Sequence, residues 1–266
     1  MRFDGKIGLI TGAGSGIGRA TALGFAKGGG AVAVADLNGA AADAVVAEIA
    51  AAGGSALAIV ADLTQSAAIE AMIDRTLDAF GRIDMLHNNA FGVPPTIYKG
   101  RIARAAEIDQ EVWDYTLQVG LTAVMQATRR VLPLMQKQGG GVIVNTASIS
   151  GLFGDYGLAA YNAMKAAVVN FTRVVAMEYA GDNIRCNCIC PGAIDTPLLQ
   201  RSLTTIQGFA DATLAAIPMG RLGTPQEMAN VALLLASDLA SYVTGSAFVA
   251  DGGLTAKTGL PTRFRN

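Results

Sequence analysis

The sequence predicts an α/β protein built on one doubly wound parallel sheet with helices on both faces, and three observations predict it. Short runs rich in Val, Ile and Ala alternate with longer segments whose apolar residues recur at three-and-four spacing. The runs are apolar throughout, as strands covered on both faces are. No Pro/Gly/Ser linker, charge block or internal repeat divides the 266 residues, so one domain over 1–266 is expected.

The elements follow in order. The first strand, Ile7–Thr11, runs into a glycine-rich turn and a helix starting near Arg19. Further strands are expected at 31–35, 56–61, 83–87, 141–145, 185–189 and Ala247–Ala250. Helical spacing marks 67–80 (AAIEAMIDRTLDAF) and 163–179 between them. Strand-helix-strand repeats imply right-handed crossovers. Two regions break the alternation. Residues 91–109 carry Pro94, Pro95, Lys99, Arg101 and Arg104, and residues 198–218 read as a helical flap after the Pro191-Gly192 turn. Both follow the carboxyl ends of strands, where open α/β sheets bind ligands. We therefore read 91–109 as a substrate loop and 198–218 as a substrate lid.

Composition excludes several classes. Hydrophobic residues make up 52% and charged residues 15%, and mean hydropathy is +0.39. Polar residues nevertheless interrupt every apolar run well before the ~20 residues of a spanning helix. No apolar leader opens the chain, so a cytoplasmic protein without membrane contact is expected. A net charge of −1 with scattered cations gives no nucleic-acid footprint. Cys186, Cys188 and Cys190 share one strand face and read as buried thiols; no further Cys or His lies near them in sequence to complete a metal site. His87 is the only histidine. It ends an apolar run and reads as a hydrogen-bonded structural residue, and no metal is expected.

The turn after the first strand reads Thr11-Gly12-Ala13-Gly14-Ser15-Gly16-Ile17-Gly18. Glycines let backbone approach a pyrophosphate without Cβ contact, and a helix N-terminus offers free N–H groups and partial positive charge. The spacing is Gly-x-x-x-Gly-x-Gly rather than the Gly-x-Gly-x-x-Gly of most dinucleotide folds. Asp36 closes the second strand, eighteen positions after Gly18. A carboxylate there accepts bonds from ribose hydroxyls of NAD and repels the 2′-phosphate of NADP. Neither Leu37 nor Ser15 supplies a cation to reverse that choice. Asp62-Leu63 closes the third strand, where Asp62 serves either an adenine amino group or the N-terminus of the next helix.

Tyr161 and Lys165 stand four apart, on one helix face. An ammonium near a phenol favours phenolate, so the pair suits abstraction of an alcohol proton. Ser148, thirteen residues upstream, follows the fifth strand at the same sheet edge as the glycine turn. A hydroxyl there is placed to hold a substrate oxygen.

With these pieces in register, the chain resembles a short-chain dehydrogenase/reductase from Lys6 to about Gly253. The motifs are TGAGSGIG (11–18), Asp36, Asp62-Leu63, Asn88-Asn89-Ala90, Ser148, Tyr161 with Lys165, Pro191-Gly192, Thr196 and Asp251-Gly252-Gly253. The resemblance implies a Rossmann fold with strand order 3-2-1-4-5-6-7 and a cofactor half over about 1–140. It implies NAD held by Gly12, Ser15, Gly16, Ile17, Gly18, Asp36, Leu37, Asp62, Leu63, Asn89, Ala90, Tyr161, Lys165, Pro191, Gly192, Ile194 and Thr196. It implies Tyr161 as general acid/base, Ser148 positioning the substrate oxygen, and Lys165 lowering the tyrosine pKa and holding the nicotinamide ribose. A homotetramer built partly on helices over 113–135 and 161–179 is implied as well.

Two positions depart from the family pattern. Gly120 stands where an asparagine usually holds a relay water, so another water or side chain is expected to fill the space. Phe91 stands where a glycine normally follows Asn-Asn-Ala, and either walls the substrate site or packs beneath the loop. By analogy Ser150, Leu152, Phe153, Tyr156, Val93 and Leu198 line the substrate site. Arg101 and Arg104 either anchor an acidic group or stay solvated. The mostly apolar lining implies a hydrophobic cyclic or aromatic secondary alcohol or ketone. A 3-oxoacyl-carrier-protein-type ketoreductase, a sugar dehydrogenase and a cofactor-binding sensor without turnover are the competing readings.

Overall fold

The computed structural model describes residues 1–92, 103–205 and 208–257. Seven parallel strands form one sheet: β1 (Ile7–Thr11), β2 (Ala31–Asp36), β3 (Ala56–Val60), β4 (Met85–Asn88), β5 (Gly141–Thr146), β6 (Ile184–Pro191) and β7 (Ala247–Ala250). Their order is β3-β2-β1-β4-β5-β6-β7, as the resemblance implies. The order reverses between β1 and β4, which pair in register with Gly8 against Met85 and Ile10 against His87. That reversal opens a crevice beyond the carboxyl ends of β1 and β4.

Alternate strand residues feed two cores, because successive side chains leave a strand on opposite faces. Leu9, Ala33, Leu86, Ile143 and Cys186 pack with α3 (Ser66–Phe80), α5 (Ala123–Lys137) and α6 (Ala159–Tyr179). Ile10, Val32, Val34, Val144 and Ile189 pack with α1 (Gly16–Lys27), α2 (Gly39–Ala51) and α9 (Pro225–Ala236). Local chemistry sets the helix ends. Gly81, at φ +77°, closes α3 in the left-handed conformation. Thr224 and Glu227 form a reciprocal capping box that starts α9.

Three boundaries differ from the sequence reading. The first helix begins at Gly16, three residues earlier than expected, so the turn glycines are themselves its first turn. The α3 N-cap is Gln65; Asp62 instead accepts bonds from the Thr64 amide and hydroxyl at 2.9 and 2.7 Å. The helix expected over 113–135 is α4 (Gln110–Leu117) joined to α5 by one wide π turn, Gln118–Thr122, with Gly120 at its centre. The flap region contains α7 (Pro197–Thr205) and α8 (Phe209–Ala216).

No described helix is long and apolar enough to cross a membrane. The three cysteine thiols are buried on β6. Among the described residues no group of three His, Cys, Asp or Glu is arranged to hold a metal ion.

Candidate active site

A cavity of about 900 Å³ runs along the carboxyl edge of the sheet, from the glycine turn to the start of α6. Gly12 leaves β1 at φ +63°, and a Cβ there would meet Ala90 Cα at 2.7 Å. A Cβ at Gly18 would run into the Gly12 carbonyl oxygen. Glycine is thus required at both positions for the turn to lie flat against α1. Ser15 caps that helix without a side-chain bond and lines the cavity with Gly16 and Ile17. The backbone cradle and helix terminus fit a pyrophosphate.

Asp36 is held beside the turn. Its Oδ2 accepts the Gly14 amide at 2.8 Å and its Oδ1 the Asn38 amide at 2.9 Å. Leu37, Asp62, Leu63, Asn89, Ala90, Pro191, Gly192, Ile194 and Thr196 also reach the cavity. The sequence-predicted cofactor residues other than Gly18 all line this cavity, and Gly18 lies in α1 against the Gly12 carbonyl. This cradle fits a dinucleotide whose ribose meets a carboxylate.

At the other end Ser148, Tyr161 and Lys165 come together. Ser148 Oγ donates to Ser150 Oγ at 3.1 Å and accepts the Ser150 amide at 3.1 Å. Asn162 ties this loop to α6, donating to Ser150 O at 2.9 Å and Asp155 Oδ2 at 3.0 Å. Lys165 is buried, with Nζ donating to the Thr146 carbonyl at 2.6 Å. Burial pushes its ammonium down to about 8. Burial likewise pushes the Tyr161 phenol above its ordinary value, while a hydrogen bond with Ser148 opposes the shift. Lys165 Nζ stands 5.6 Å from the centroid of the phenol ring.

Both departures have a structural answer. A Cβ at Gly120 would lie 2.6 Å from both Sδ and Cε of buried Met164. An apolar thioether therefore occupies the space beside Gly120. Phe91 packs with Leu117, Leu121 and Tyr161 over the small core around Met164. Its ring stands 5.2 Å from the Tyr161 ring and 5.3 Å from Lys165 Nζ. Because it also lines the cavity, it is wall and packing residue together.

The substrate residues divide. Leu198 lines the cavity, and Ser150 contacts it through Ser148. Phe153 and Tyr156 are 54% and 79% exposed and are not part of its lining, nor is Leu152. Asn162 holds this loop at both ends, at the Ser150 carbonyl and the Asp155 amide, and leaves the side chains between and beyond them in solvent. Val93 and Arg101 lie outside the described residues. Sequence reasoning missed Ile108, Val112, Leu158, Leu199 and Phe209, which supply much of the apolar wall. It also missed Thr146, whose place at the end of β5, two residues before Ser148, was the available signal.

A phosphate-type cradle at one end and a Ser-Tyr-Lys group at the other, on this sheet, define an oxidoreductase. A family model described as enoyl-(acyl carrier protein) reductase matches residues 12–255. The chain is 40% identical over 254 residues to a 3-oxoacyl-(acyl-carrier-protein) reductase of Thermotoga maritima, covering 96% of this chain and 99% of the relative. It is 41% identical over 257 residues to a cyclohexanol dehydrogenase of Acinetobacter sp., covering 96% and 97%. A 7α-hydroxysteroid dehydrogenase solved with NADH and 7-oxo glycochenodeoxycholic acid superposes with TM-score 0.86 at 35% identity, covering 95% of each chain. The chain belongs to the short-chain dehydrogenase/reductase family and is an oxidoreductase of that type.

Proposed function

We propose that this protein is an NAD(H)-dependent oxidoreductase interconverting a secondary alcohol and a ketone, with a hydrophobic cyclic or aromatic substrate. The observation that carries the reading is the apolar cavity with Ser148, Tyr161 and Lys165 at one end and Asp36 at the other. Asp36, fixed by two amides, favours unphosphorylated ribose. Bound NAD⁺ would supply the hydride acceptor. Ser148 holds the substrate oxygen, and Tyr161 takes its proton. Lys165, anchored on Thr146, presents positive charge beside the phenol and holds ribose hydroxyls. Ile108, Val112, Leu158 and Phe209 exclude water and charge from the substrate, and the relationship to a cyclohexanol dehydrogenase supports the same substrate class.

A homotetramer is part of this proposal, supported by an exposed apolar residue on one of the helices the resemblance implies for assembly and by others on the sheet edge. Met177 on α6 is 76% exposed, and Phe248 and Val249 on edge strand β7 are also uncovered.

The Thermotoga relative and the family description favour a second reading, reduction of a carrier-bound 3-oxoacyl thioester. NADH fluorescence titration, then turnover with NAD and NADP on cyclic alcohols and a 3-oxoacyl thioester, separates the two. Oxidation of cyclic alcohols with NAD, abolished in Tyr161→Phe, supports the first reading. Thioester reduction with preference for NADPH overturns it.

A further inference from the structure

His87 is fully buried at the centre of β4, between β1 and β5. Its Nε2 lies 2.9 Å from Thr146 Oγ1. That hydroxyl donates to Asn89 Oδ1 at 3.2 Å. The Asn89 amide nitrogen then donates to the Thr11 and Gly12 carbonyls at 3.1 and 3.3 Å. The same Thr146, through its backbone carbonyl, receives Lys165 Nζ at 2.6 Å.

The direction of every bond in this chain is fixed. The Thr146 hydroxyl has one proton, and Asn89 Oδ1 takes it. Nε2 of His87 must therefore donate, which sets the neutral imidazole with its proton on Nε2 and leaves Nδ1 a bare lone pair. Nδ1 is buried and without a partner, consistent with that tautomer. Burial holds the ring neutral, pushing its pKa down to about 3. If the Asn89 amide were reversed, its oxygen would face the Gly12 carbonyl, acceptor against acceptor. Its nitrogen would then donate to the Thr146 hydroxyl, whose proton would turn to His87 Nε2, and both carbonyl bonds of Asn89 would be lost. The Thr11 and Gly12 carbonyls thus set the Asn89 amide, and the His87 Nε2–H holds the Thr146 hydroxyl in the rotamer that donates to it.

We infer that His87 is a positioning residue for catalysis: through Thr146 it holds Asn89 against the glycine turn and braces the strand end that carries Lys165. It touches neither substrate nor cofactor. An apolar residue at the same place would fill the volume but leave Thr146 free to rotate. The inference rests on the reading that the cavity takes a nicotinamide dinucleotide, and its test includes a readout that does not.

The experiment compares wild type, His87→Leu, His87→Gln and Thr146→Val. Amide hydrogen exchange is measured on the cofactor-free proteins, and NADH titration and steady-state kinetics follow. In His87→Leu, exchange at Asn89, Ala90 and Gly12 is expected to rise at least about tenfold, since one net hydrogen bond is worth about a factor of ten. The NADH Kd is expected to rise, and kcat to fall, by a similar factor. His87→Gln, which restores a donor near the Nε2 position, is expected to recover most of both. Thr146→Val is expected to reproduce the loss, and adding it to His87→Leu should cost nothing more. If His87→Leu fails to fold, Thr146→Val alone carries the comparison. Unchanged exchange, Kd and kcat in the Leu or Val variant, with only a lower Tm, would overturn the inference. Faster exchange in variants of a wild type that binds no NADH would sink the cofactor reading and leave His87 bracing the turn.

Discussion

Placing the missing asparagine into this chain, Gly120→Asn, inserts a side chain where the structure already holds one. The first side-chain carbon would stand 2.6 Å from Sδ and Cε of Met164, well inside contact distance, in a buried helix-helix seam. Overpacking of this kind costs about 1–3 kcal/mol. The incoming amide, without fixed partners among Leu117, Leu121 and Met164, adds about 1–3 kcal/mol. Exchanging glycine for asparagine within a helix returns only a few tenths of a kcal/mol. Because Met164 is flexible and yields partway, the expected net is a destabilisation of about 2–4 kcal/mol, or a Tm fall of roughly 5–15 °C. The assay is a double-mutant cycle with Met164→Ala, read by denaturant unfolding. Met164→Ala alone opens a cavity worth about 2–5 kcal/mol, and the asparagine should then fill it. The double variant is therefore expected to be more stable than the sum of the two singles by at least about 1 kcal/mol. Additivity to within about 0.5 kcal/mol, or stabilisation by Gly120→Asn alone, would refute the packing argument.

Other expectations are simpler. Tyr161→Phe should lower kcat by about 10²–10⁴-fold while NADH still binds, measured by single-turnover absorbance and fluorescence titration. Asp36→Ala removes a charged acceptor worth about 1.5–3 kcal/mol. The NAD Kd should rise roughly ten- to a hundredfold, with NADP binding improving; an unchanged NAD/NADP ratio would count against Asp36. His87, ordinarily near 6.5 and held at about 3 by burial, stays neutral where the unfolded chain takes a proton. Its contribution is therefore full above about pH 6.5 and is lost as pH falls toward 3, with a slope of about 1.4 kcal/mol per pH unit. His87→Gln should flatten that part of the acid stability curve, and an identical slope would show that His87 does not drive it. Oxidation rate should climb with pH, since the base form of a phenol raised by burial is needed, and Tyr161→Phe should abolish the limb.

Much of this was legible in the chain because the physics is local. Strand runs buried on both faces, the glycine turn and the four-residue step from Tyr161 to Lys165 depend only on nearby residues. What was not legible depends on residues far apart in sequence. Met164 against Gly120, Phe91 over Lys165, and Thr146 as the acceptor for Lys165 are tertiary contacts with no periodicity to announce them. Burial, the largest influence on the Tyr161 phenol, is likewise invisible in sequence, whereas a charge four residues away is not. Phe153 and Tyr156 were placed in the site by analogy, and both side chains are exposed outside the cavity lining.

The three thiols on β6 have a practical consequence. Cys186 is pushed by burial up to about 12, and all three cysteines are buried on β6, so a thiol reagent meets none of them in the native protein. Alkylation then proceeds only when β6 separates from its neighbours, and its rate follows the population of that opened form whenever reclosure outpaces chemistry. The unmodified protein carries its own stopwatch for opening, and a ligand that tightens the molecule would announce itself as slower labelling by mass spectrometry.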